Sequence, residues 1–153
     1  MDTEAFEIKY LKFSENHLEK IIELEKEWVL ENITYGVVGS TKEEIMQNVN
    51  DYFYLALHNE KVVGYIICEE IHNNEYNIFE NGSTYLRVND IYVLKEYRNK
   101  KIGENLLKII EEKAKTNEIK QILISTATKE AETIKRFYER NRYKIWTQIF
   151  FKN

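Results

Sequence analysis

The sequence predicts a mixed α/β domain in which helices cover a sheet. Segments whose apolar residues alternate one by one are interleaved with segments whose apolar residues recur every three to four positions, the periods of strands and helices. Their order along the chain is strand, two helices, three strands, helix, strand, helix, strand. With 153 residues, 43% of them hydrophobic, the chain can bury one core but not two. We therefore expect a single domain spanning residues 1–153.

The first third of the chain predicts one strand followed by two helices. Residues 6–13 alternate between apolar and polar side chains, as a half-buried strand does. Ser14 is placed to cap a helix over residues 15–30 that carries one apolar stripe. Thr41 and Glu44 have the spacing of a capping box, in which each side chain bonds the backbone N–H of the other residue. A short second helix is therefore expected to begin there.

The rest of the chain predicts five more strands and two more helices. The strands are expected at residues 52–57, 61–70, 85–94, 120–126 and 143–151. The helices are expected at residues 102–115 and 130–140. The second and third strands should form a hairpin, and the polar residues 72–82 a long loop that can cover a ligand. The fourth and fifth strands, joined through a helix, should be parallel neighbours with a right-handed crossover.

Composition excludes several classes of function. A net charge of −4 argues against the broad basic face that nucleic-acid binding needs. No apolar run approaches the roughly 18 residues of a membrane span, and residues 1–4 lack the start of a secretory signal. Cys68, the single cysteine, lies within a predicted strand and is expected to be a packed thiol. His17, His58 and His72 lack metal-ligand spacing. We expect a cytoplasmic protein that holds no metal.

The most informative stretch is residues 88–103. An apolar strand is followed by a short basic segment and then by a long amphipathic helix. The unpaired N–H groups of a helix start point toward one place, and Arg98, Lys100 and Lys101 lie beside them here. Backbone donors and positive charge together form an anion site, above all for phosphate.

The segment Arg98-Asn99-Lys100-Lys101-Ile102-Gly103 resembles the phosphate-binding elbow of the GNAT acyltransferase superfamily. The family elbow has Arg or Gln, two variable residues, Gly, one variable residue, and Gly or Ala. Arg98 and Gly103 match this pattern, and Lys101 replaces its first glycine. Lysine at this position either narrows the approach of a phosphate to the backbone or adds a direct phosphate contact.

A second segment strengthens the resemblance. Residues 137–143, Phe-Tyr-Glu-Arg-Asn-Arg-Tyr, resemble the family segment Phe-Tyr-Glu-Lys-x-Gly-Phe at the fourth helix and the turn after it. Arg142 stands where the family has Gly, and Tyr143 where it has Phe. Ala131 stands where the family often has an Asn that contacts the cofactor. Both segments occur in the family order, about 35 residues apart, which is far more specific than either alone.

The resemblance implies a fold and a cofactor. The expected sheet is mixed and mostly antiparallel, has six to seven strands with about four flanking helices, and splays between parallel strands four and five. The implied cofactor is acetyl-CoA, with its pantetheine arm in the splay and its pyrophosphate on the elbow amides. The residues implied in cofactor binding are Ile91, Tyr92, Val93, Arg98, Asn99, Lys100, Lys101, Ile102, Gly103 and Glu104.

The resemblance also implies two catalytic residues. Tyr138 matches the general acid of the family, which protonates the departing thiolate; the alternative is one buried aromatic among 11 tyrosines. Asp90 falls where many relatives carry acids on strand four and is the candidate general base, whereas its neighbour Asn89 cannot accept the proton. Asp90 can equally be a structural acid bonded across the sheet. A backbone N–H near Val93 is implied as the donor to the oxyanion.

The acceptor pocket is expected along the first helix. Glu25 lies on the apolar stripe of this helix near Trp28 and Tyr35, and this region lines the acceptor pocket in relatives. An acid beside aromatic rings favours a cationic amine, although Glu25 can equally mark the edge of a core stripe.

We therefore expect an acetyltransferase that moves an acetyl group from acetyl-CoA to a primary amine in a ternary complex. The acceptor is a small-molecule amine or a peptide N-terminus, and neither nucleic acid nor membrane is a partner. The alternative is a non-catalytic acyl-CoA sensor or interaction module. A third hypothesis, simple binding of a phosphometabolite at the elbow, does not account for the family-like segment at residues 137–143. The aromatic C-terminal strand suggests a homodimer.

Overall fold

A computed structural model of the chain describes residues 6–153. Residues 1–5, which include the segment expected not to be a secretory signal, lie outside this range. The strands are β1 (Lys9–Lys12), β2 (Phe53–His58), β3 (Lys61–His72), β4 (Thr84–Val93) and β5 (Ile122–Ile124). The α-helices are α1 (Leu18–Glu31), α2 (Lys42–Gln47), α3 (Ile102–Thr116) and α4 (Ala131–Arg140). None of the helices in residues 6–153 is both long and apolar enough to cross a membrane.

The five strands form one sheet in the order β1-β2-β3-β4-β5. The pairs from β1 to β4 are antiparallel, and β4 and β5 are parallel, as the sequence predicts. The predicted capping box at α2 is also present, because Thr41 and Glu44 each bond the backbone N–H of the other. The capping box is confirmed because the two residues behind it lie three positions apart in the chain.

The prediction of six to seven strands is wrong, since the described residues contain five. Residues 143–151, predicted to be the terminal strand, run on from α4 without strand pairing. An alternating pattern becomes a strand only when another backbone supplies hydrogen bonds, and this segment has no such neighbour in the monomer. Its large apolar side chains are consequently exposed: Ile145, Trp146, Ile149, Phe150 and Phe151.

The helices α1 and α3 cover opposite faces of the sheet. Trp28 of α1 lies against the rings of Tyr65 and Tyr92, which face each other across β3 and β4. Gly64, the neighbour of Tyr65, points the other way, and a Cβ there would lie 3.6 Å from Ile102 of α3. We call these two surfaces the α1 face and the α3 face of the sheet.

β4 and β5 separate after three pairs of residues. Residues 86–88 of β4 pair with residues 122–124 of β5. Beyond this point the chain turns toward the segment after α1, where the Tyr35 N–H bonds the Ala127 carbonyl at 2.9 Å and the Lys129 N–H bonds the Ile33 carbonyl at 2.7 Å. Within residues 6–153 the second half of β4 is therefore paired only with β3, and no strand lies along its other edge. The predicted splay lies here.

A bulge in β4 determines the direction of Asp90. Val88 pairs with Cys68 and Asp90 pairs with Ile67, so that Asn89 is an extra residue. One inserted residue reverses the faces of all side chains that follow it. Asp90 therefore lies on the α1 face, with Tyr65 and Tyr92, instead of on the α3 face with Val88.

Candidate active site

The elbow, residues 98–103, joins the end of β4 to α3 through two left-handed backbone positions. Asn99 and Lys101 have φ values of 60° and 63°. The first α-helical hydrogen bond of α3 runs from the Asn105 N–H to the Lys101 carbonyl at 2.9 Å. In the described part of the chain, the three preceding N–H groups, those of residues 102–104, donate to no backbone carbonyl. These free donors at the start of a 15-residue helix form an anion site.

Glycine suits the two family glycine positions of the elbow for different physical reasons. Lys101 occupies the first one with φ of 63°, a conformation that glycine adopts without the Cβ clash other residues suffer. Gly103 occupies the second, and a Cβ there would lie 3.3 Å from Cζ of Phe137 on α4. Lysine in place of the first glycine therefore keeps the backbone conformation of the elbow but strains it locally. The absence of a side chain at Gly103 lets α4 pack closely against α3.

The guanidinium of Arg98 points away from the elbow amides and toward α1. Its Nε donates to the Val93 carbonyl at 3.0 Å and its Nη2 to Oε1 of Glu31 at 2.7 Å. The group also lies 5.6 Å from the centre of the Tyr92 ring, whose hydroxyl donates to the same Glu31 carboxylate. The charge of Arg98 is therefore already paired, and Lys100 and Lys101 are the exposed cations of the elbow.

Tyr138 lies on α4, packed between the rings of Phe137 and Tyr143 at centroid distances of 5.1 and 5.8 Å. Burial raises the pKa of its hydroxyl, so the group keeps its proton at neutral pH. No hydrogen bond to this hydroxyl occurs within residues 6–153. A protonated, unpaired phenol is able to donate to a leaving group.

The turn after α4 explains the departure at Arg142. Arg142 has φ of 70°, its N–H bonds the Glu139 carbonyl at 3.0 Å, and the Tyr143 N–H bonds the Tyr138 carbonyl at 2.9 Å. This pair of bonds is a Schellman motif, whose left-handed position is usually glycine. Tyr143 is then held against α3, where its hydroxyl donates to Glu111 at 3.0 Å.

Asp90 is half-buried on the α1 face, and its carboxylate accepts no hydrogen bond within the described range. Burial, followed by the negative charge of Glu25, raises its pKa from 3.8 to about 6. A carboxylate with this pKa is largely ionised at neutral pH but takes up a proton more readily than an ordinary aspartate. This property is suited to a general base.

The structure brings Glu25 and Trp28 together on the α1 face but leaves Tyr35 apart. Glu25 is 5% exposed, and both its oxygens accept from Ser40, from the N–H at 2.7 Å and from Oγ at 3.0 Å. One face of Trp28 is stacked on Tyr92 at 5.0 Å. Tyr35 is half exposed and contacts Phe151 and Lys129 instead.

Two residues of this region were missed by the sequence analysis. Glu31 lies three residues after Trp28, which lies three after Glu25, so the helical spacing contained a signal for it. Tyr65 stands in a continuous apolar strand, where its neighbours give no indication that its hydroxyl is special. Within residues 6–153, no group of three or more His, Cys, Asp or Glu side chains is placed to hold a metal ion.

Comparison with solved structures finds the same fold in several aminoglycoside acetyltransferases. An aminoglycoside antibiotic 6'-N-acetyltransferase from Acinetobacter baumannii is 16% identical, with a TM-score of 0.72 over 96% of this chain and 97% of that one. The aminoglycoside N-acetyltransferase AAC(6')-Iy in complex with CoA is 14% identical, with a TM-score of 0.72 over 100% and 98%. An enzyme from an uncultured soil metagenomic sample, in complex with sisomicin, is 16% identical, with a TM-score of 0.68 over 95% of each chain.

A search of curated protein sequences finds no match. A family model described as an acetyltransferase (GNAT) domain matches residues 49–145. The matched region runs from just before β2 to just beyond α4, and so includes the splay, the elbow and Tyr138. The chain therefore belongs to the GNAT family of acetyltransferases.

Proposed function

We propose that the protein transfers an acetyl group from acetyl-CoA to a primary amine by direct attack within a ternary complex. The observation that carries this proposal is the open edge of β4, which ends in the free amides of the elbow. An extended polar chain can pair with the edge while its phosphates bind the amides. Asp90 lies on β4 itself, and Tyr138 lies on α4, whose Phe137 packs against Gly103 at the start of α3.

The residues of the splay fit acetyl-CoA. The open edge at residues 91–93 faces the pantetheine arm, and the Val93 carbonyl there already accepts from Arg98. The free N–H groups of residues 102–104 and the charges of Lys100 and Lys101 serve the pyrophosphate. The co-substrate supplies an activated thioester carbonyl. A backbone N–H near Val93 stabilises the negative charge that develops on that carbonyl oxygen.

Two side chains handle the protons. Asp90 removes a proton from the ammonium group of the acceptor, which gives the neutral amine that attacks. Tyr138 donates its proton to the thiolate of CoA as the bond between carbon and sulfur breaks. The raised pKa values of both groups suit these roles, because Asp90 accepts protons near neutral pH and Tyr138 stays protonated.

The acceptor we propose is a small cationic amine. Glu25 and Asp90 place two acids on the α1 face, and Trp28 adds aromatic surface there. Two acetyltransferases with a similar fold were solved in complex with sisomicin and with the bisubstrate analogue CoA-S-monomethyl-acetylneamine. A peptide N-terminus carries one positive charge, and so gains less from two acids than a polyamine or aminoglycoside does.

A screen for thiol release tests the proposal. Acetyl-CoA is mixed with the protein and with aminoglycosides, polyamines, amino acids and N-terminal peptides, and free CoA is measured with a thiol reagent. Release only with polycationic amines supports the proposal. CoA binding in a thermal shift assay without turnover on any amine would instead indicate a binding module.

We propose also that the protein forms a homodimer through residues 144–151. This segment exposes a row of apolar side chains, and β5 ends the sheet with a free edge. If each copy lays this segment along the β5 edge of the other copy, the apolar side chains are covered and both free edges are paired in a closed two-fold dimer.

Light scattering should give twice the chain mass of 18.4 kDa, and Ile149→Asp should give the monomer. The control Ile78→Asp, at an exposed loop position, should stay dimeric; a monomeric wild type would refute the dimer.

A further inference from the structure

The hydroxyl of Tyr65 lacks a partner in the protein. The side chain is 0% exposed, and its Oη is the single fully buried side-chain oxygen or nitrogen of residues 6–153 without a hydrogen bond. A buried hydroxyl that makes no hydrogen bond is destabilising, because it gives up its bonds to water on folding. A phenylalanine would fill the same space without this cost, so the hydroxyl calls for a functional explanation.

Two other buried tyrosines, Tyr52 and Tyr92, have hydrogen-bond partners for their hydroxyls. The Tyr52 hydroxyl donates to Glu70 at 2.6 Å and accepts from Asn117 at 2.6 Å. The Tyr92 hydroxyl donates to Glu31. Around Tyr65 the ring contacts are apolar, with Phe53 at 6.4 Å and Trp28 at 6.5 Å between centroids. The fold therefore supplies partners to these two buried hydroxyls but not to that of Tyr65.

The Tyr65 hydroxyl lies in the field of the two acids of the α1 face. Tyr65 pairs with Tyr92 across the sheet, and Asp90 pairs with Ile67, so Tyr65 and Asp90 are diagonal neighbours on one face. Glu25 approaches the same face from α1. After burial, the charges of Asp90 and then Glu25 raise the pKa of the Tyr65 hydroxyl, which therefore remains a proton donor.

Asp90 is also without a hydrogen-bond partner in the described chain, although it is half-buried. The two unsatisfied groups complement each other, since one donates and the other accepts. They do not bond each other directly. Less than 1 Å² of the Tyr65 hydroxyl is accessible in the ligand-free chain, so a water molecule reaches it only when a bound acceptor opens this face. Placed between the two groups, that water would satisfy both, because a buried water needs two to four polar partners.

We propose that Tyr65 is a positioning residue for the transfer reaction, whose hydroxyl holds a water molecule against Asp90. This inference rests on the proposed function. The water passes one proton to the Asp90 carboxylate as it takes one from the ammonium group of the acceptor. The water is thereby regenerated, Asp90 becomes the neutral acid, the amine becomes the nucleophile, and Tyr65 keeps its proton.

The variant Tyr65→Phe tests this inference, with Tyr52→Phe as the matched control. Tyr65→Phe should keep or raise the melting temperature, because it removes an unsatisfied group. Its kcat should fall about 10- to 100-fold with both KM values within about twofold of wild type. Tyr52→Phe should lower the melting temperature, because Glu70 and Asn117 lose their partner, and should leave kcat unchanged.

A double variant separates catalysis from structure. If Tyr65 acts through Asp90, adding Tyr65→Phe to Asp90→Asn should cause no further loss of kcat. The inference fails if Tyr65→Phe turns over within twofold of wild type, or if the losses in the double variant multiply. It also fails if Tyr65→Phe loses melting temperature and kcat together. An inactive wild type on every amine would refute the proposed function as well, whereas an active wild type confines any failure to Tyr65.

Discussion

Replacing Asp90 with Asn should stabilise the protein while it removes activity. Burial and the charge of Glu25 raise the Asp90 pKa from 3.8 to about 6 in the folded state. Well below pH 4 the carboxyl is protonated in both folded and unfolded chains, and its ionisation costs the fold nothing. Between about pH 4 and pH 6 the unfolded chain gives up this proton while the folded chain keeps it, so stability falls as the pH rises. Above pH 6 both chains are charged, and the fold bears the full cost of a poorly solvated carboxylate. Asn is neutral throughout and escapes that cost.

The difference between the two pKa values sets the size of the effect. About two pH units correspond to about 3 kcal/mol at pH 8, at 1.36 kcal/mol for each unit. For a domain of this length, each kcal/mol moves the melting temperature by about 2–4 °C, which gives a gain of about 6–12 °C. The Asn amide also needs hydrogen-bond partners, so these figures are upper values.

Thermal unfolding at pH 8 and pH 4 measures the effect. Asp90→Asn should melt higher than wild type at pH 8 and gain only a small fraction of that difference at pH 4, with kcat reduced about 10²- to 10⁴-fold. The control Asp51→Asn should melt lower at pH 8, because the hydrogen bond from Lys12 lowers the pKa of Asp51 and favours its charged form. Equal melting temperatures of wild type and Asp90→Asn at pH 8, or a gain of the same size at pH 4, would refute the reasoning.

Three further substitutions test the site. Tyr138→Phe should reduce kcat about 100-fold and leave the Kd for CoA unchanged, since residues 6–153 make no hydrogen bond to this hydroxyl that the variant would break; full activity would exclude Tyr138 as the acid. Lys101→Gly should raise the free energy of unfolding in urea by about 1 kcal/mol by relieving its left-handed backbone, whereas Lys100→Gly should lower it; a loss in Lys101→Gly would contradict the strain. Glu31→Gln should tighten CoA binding in calorimetry, because it frees the Arg98 guanidinium and removes a negative charge nearby, and should lower the melting temperature; weaker CoA binding would mean that Glu31 supports the elbow.

Much of the site followed from short stretches of sequence. The elbow was predicted because a strand end, basic residues and a helix start follow one another within residues 88–103, and the structure has them in that order. The capping box of α2 depends on two residues three apart. Tyr138 was located by a segment that lies on one helix and its terminal turn. The roles given to Tyr138 and Asp90 remain predictions until the variants are measured.

The remaining features depend on partners far apart in the chain. The face of Asp90 is set by a bulge opposite β3, and the pairing of Arg98 by Glu31, 67 residues away. The expected terminal strand stayed unpaired because alternation indicates only that a segment can join a sheet, not that an edge will accept it.

The sequence alone determined the order of the elements, the elbow and the family resemblance, because local periodicity and caps act between neighbouring residues. The tertiary structure decided which acids share a face, which cation is already paired and which hydroxyl is left without a partner. Those properties arise from the distances and burial that strand register and helix packing create, and residues close in sequence do not encode them.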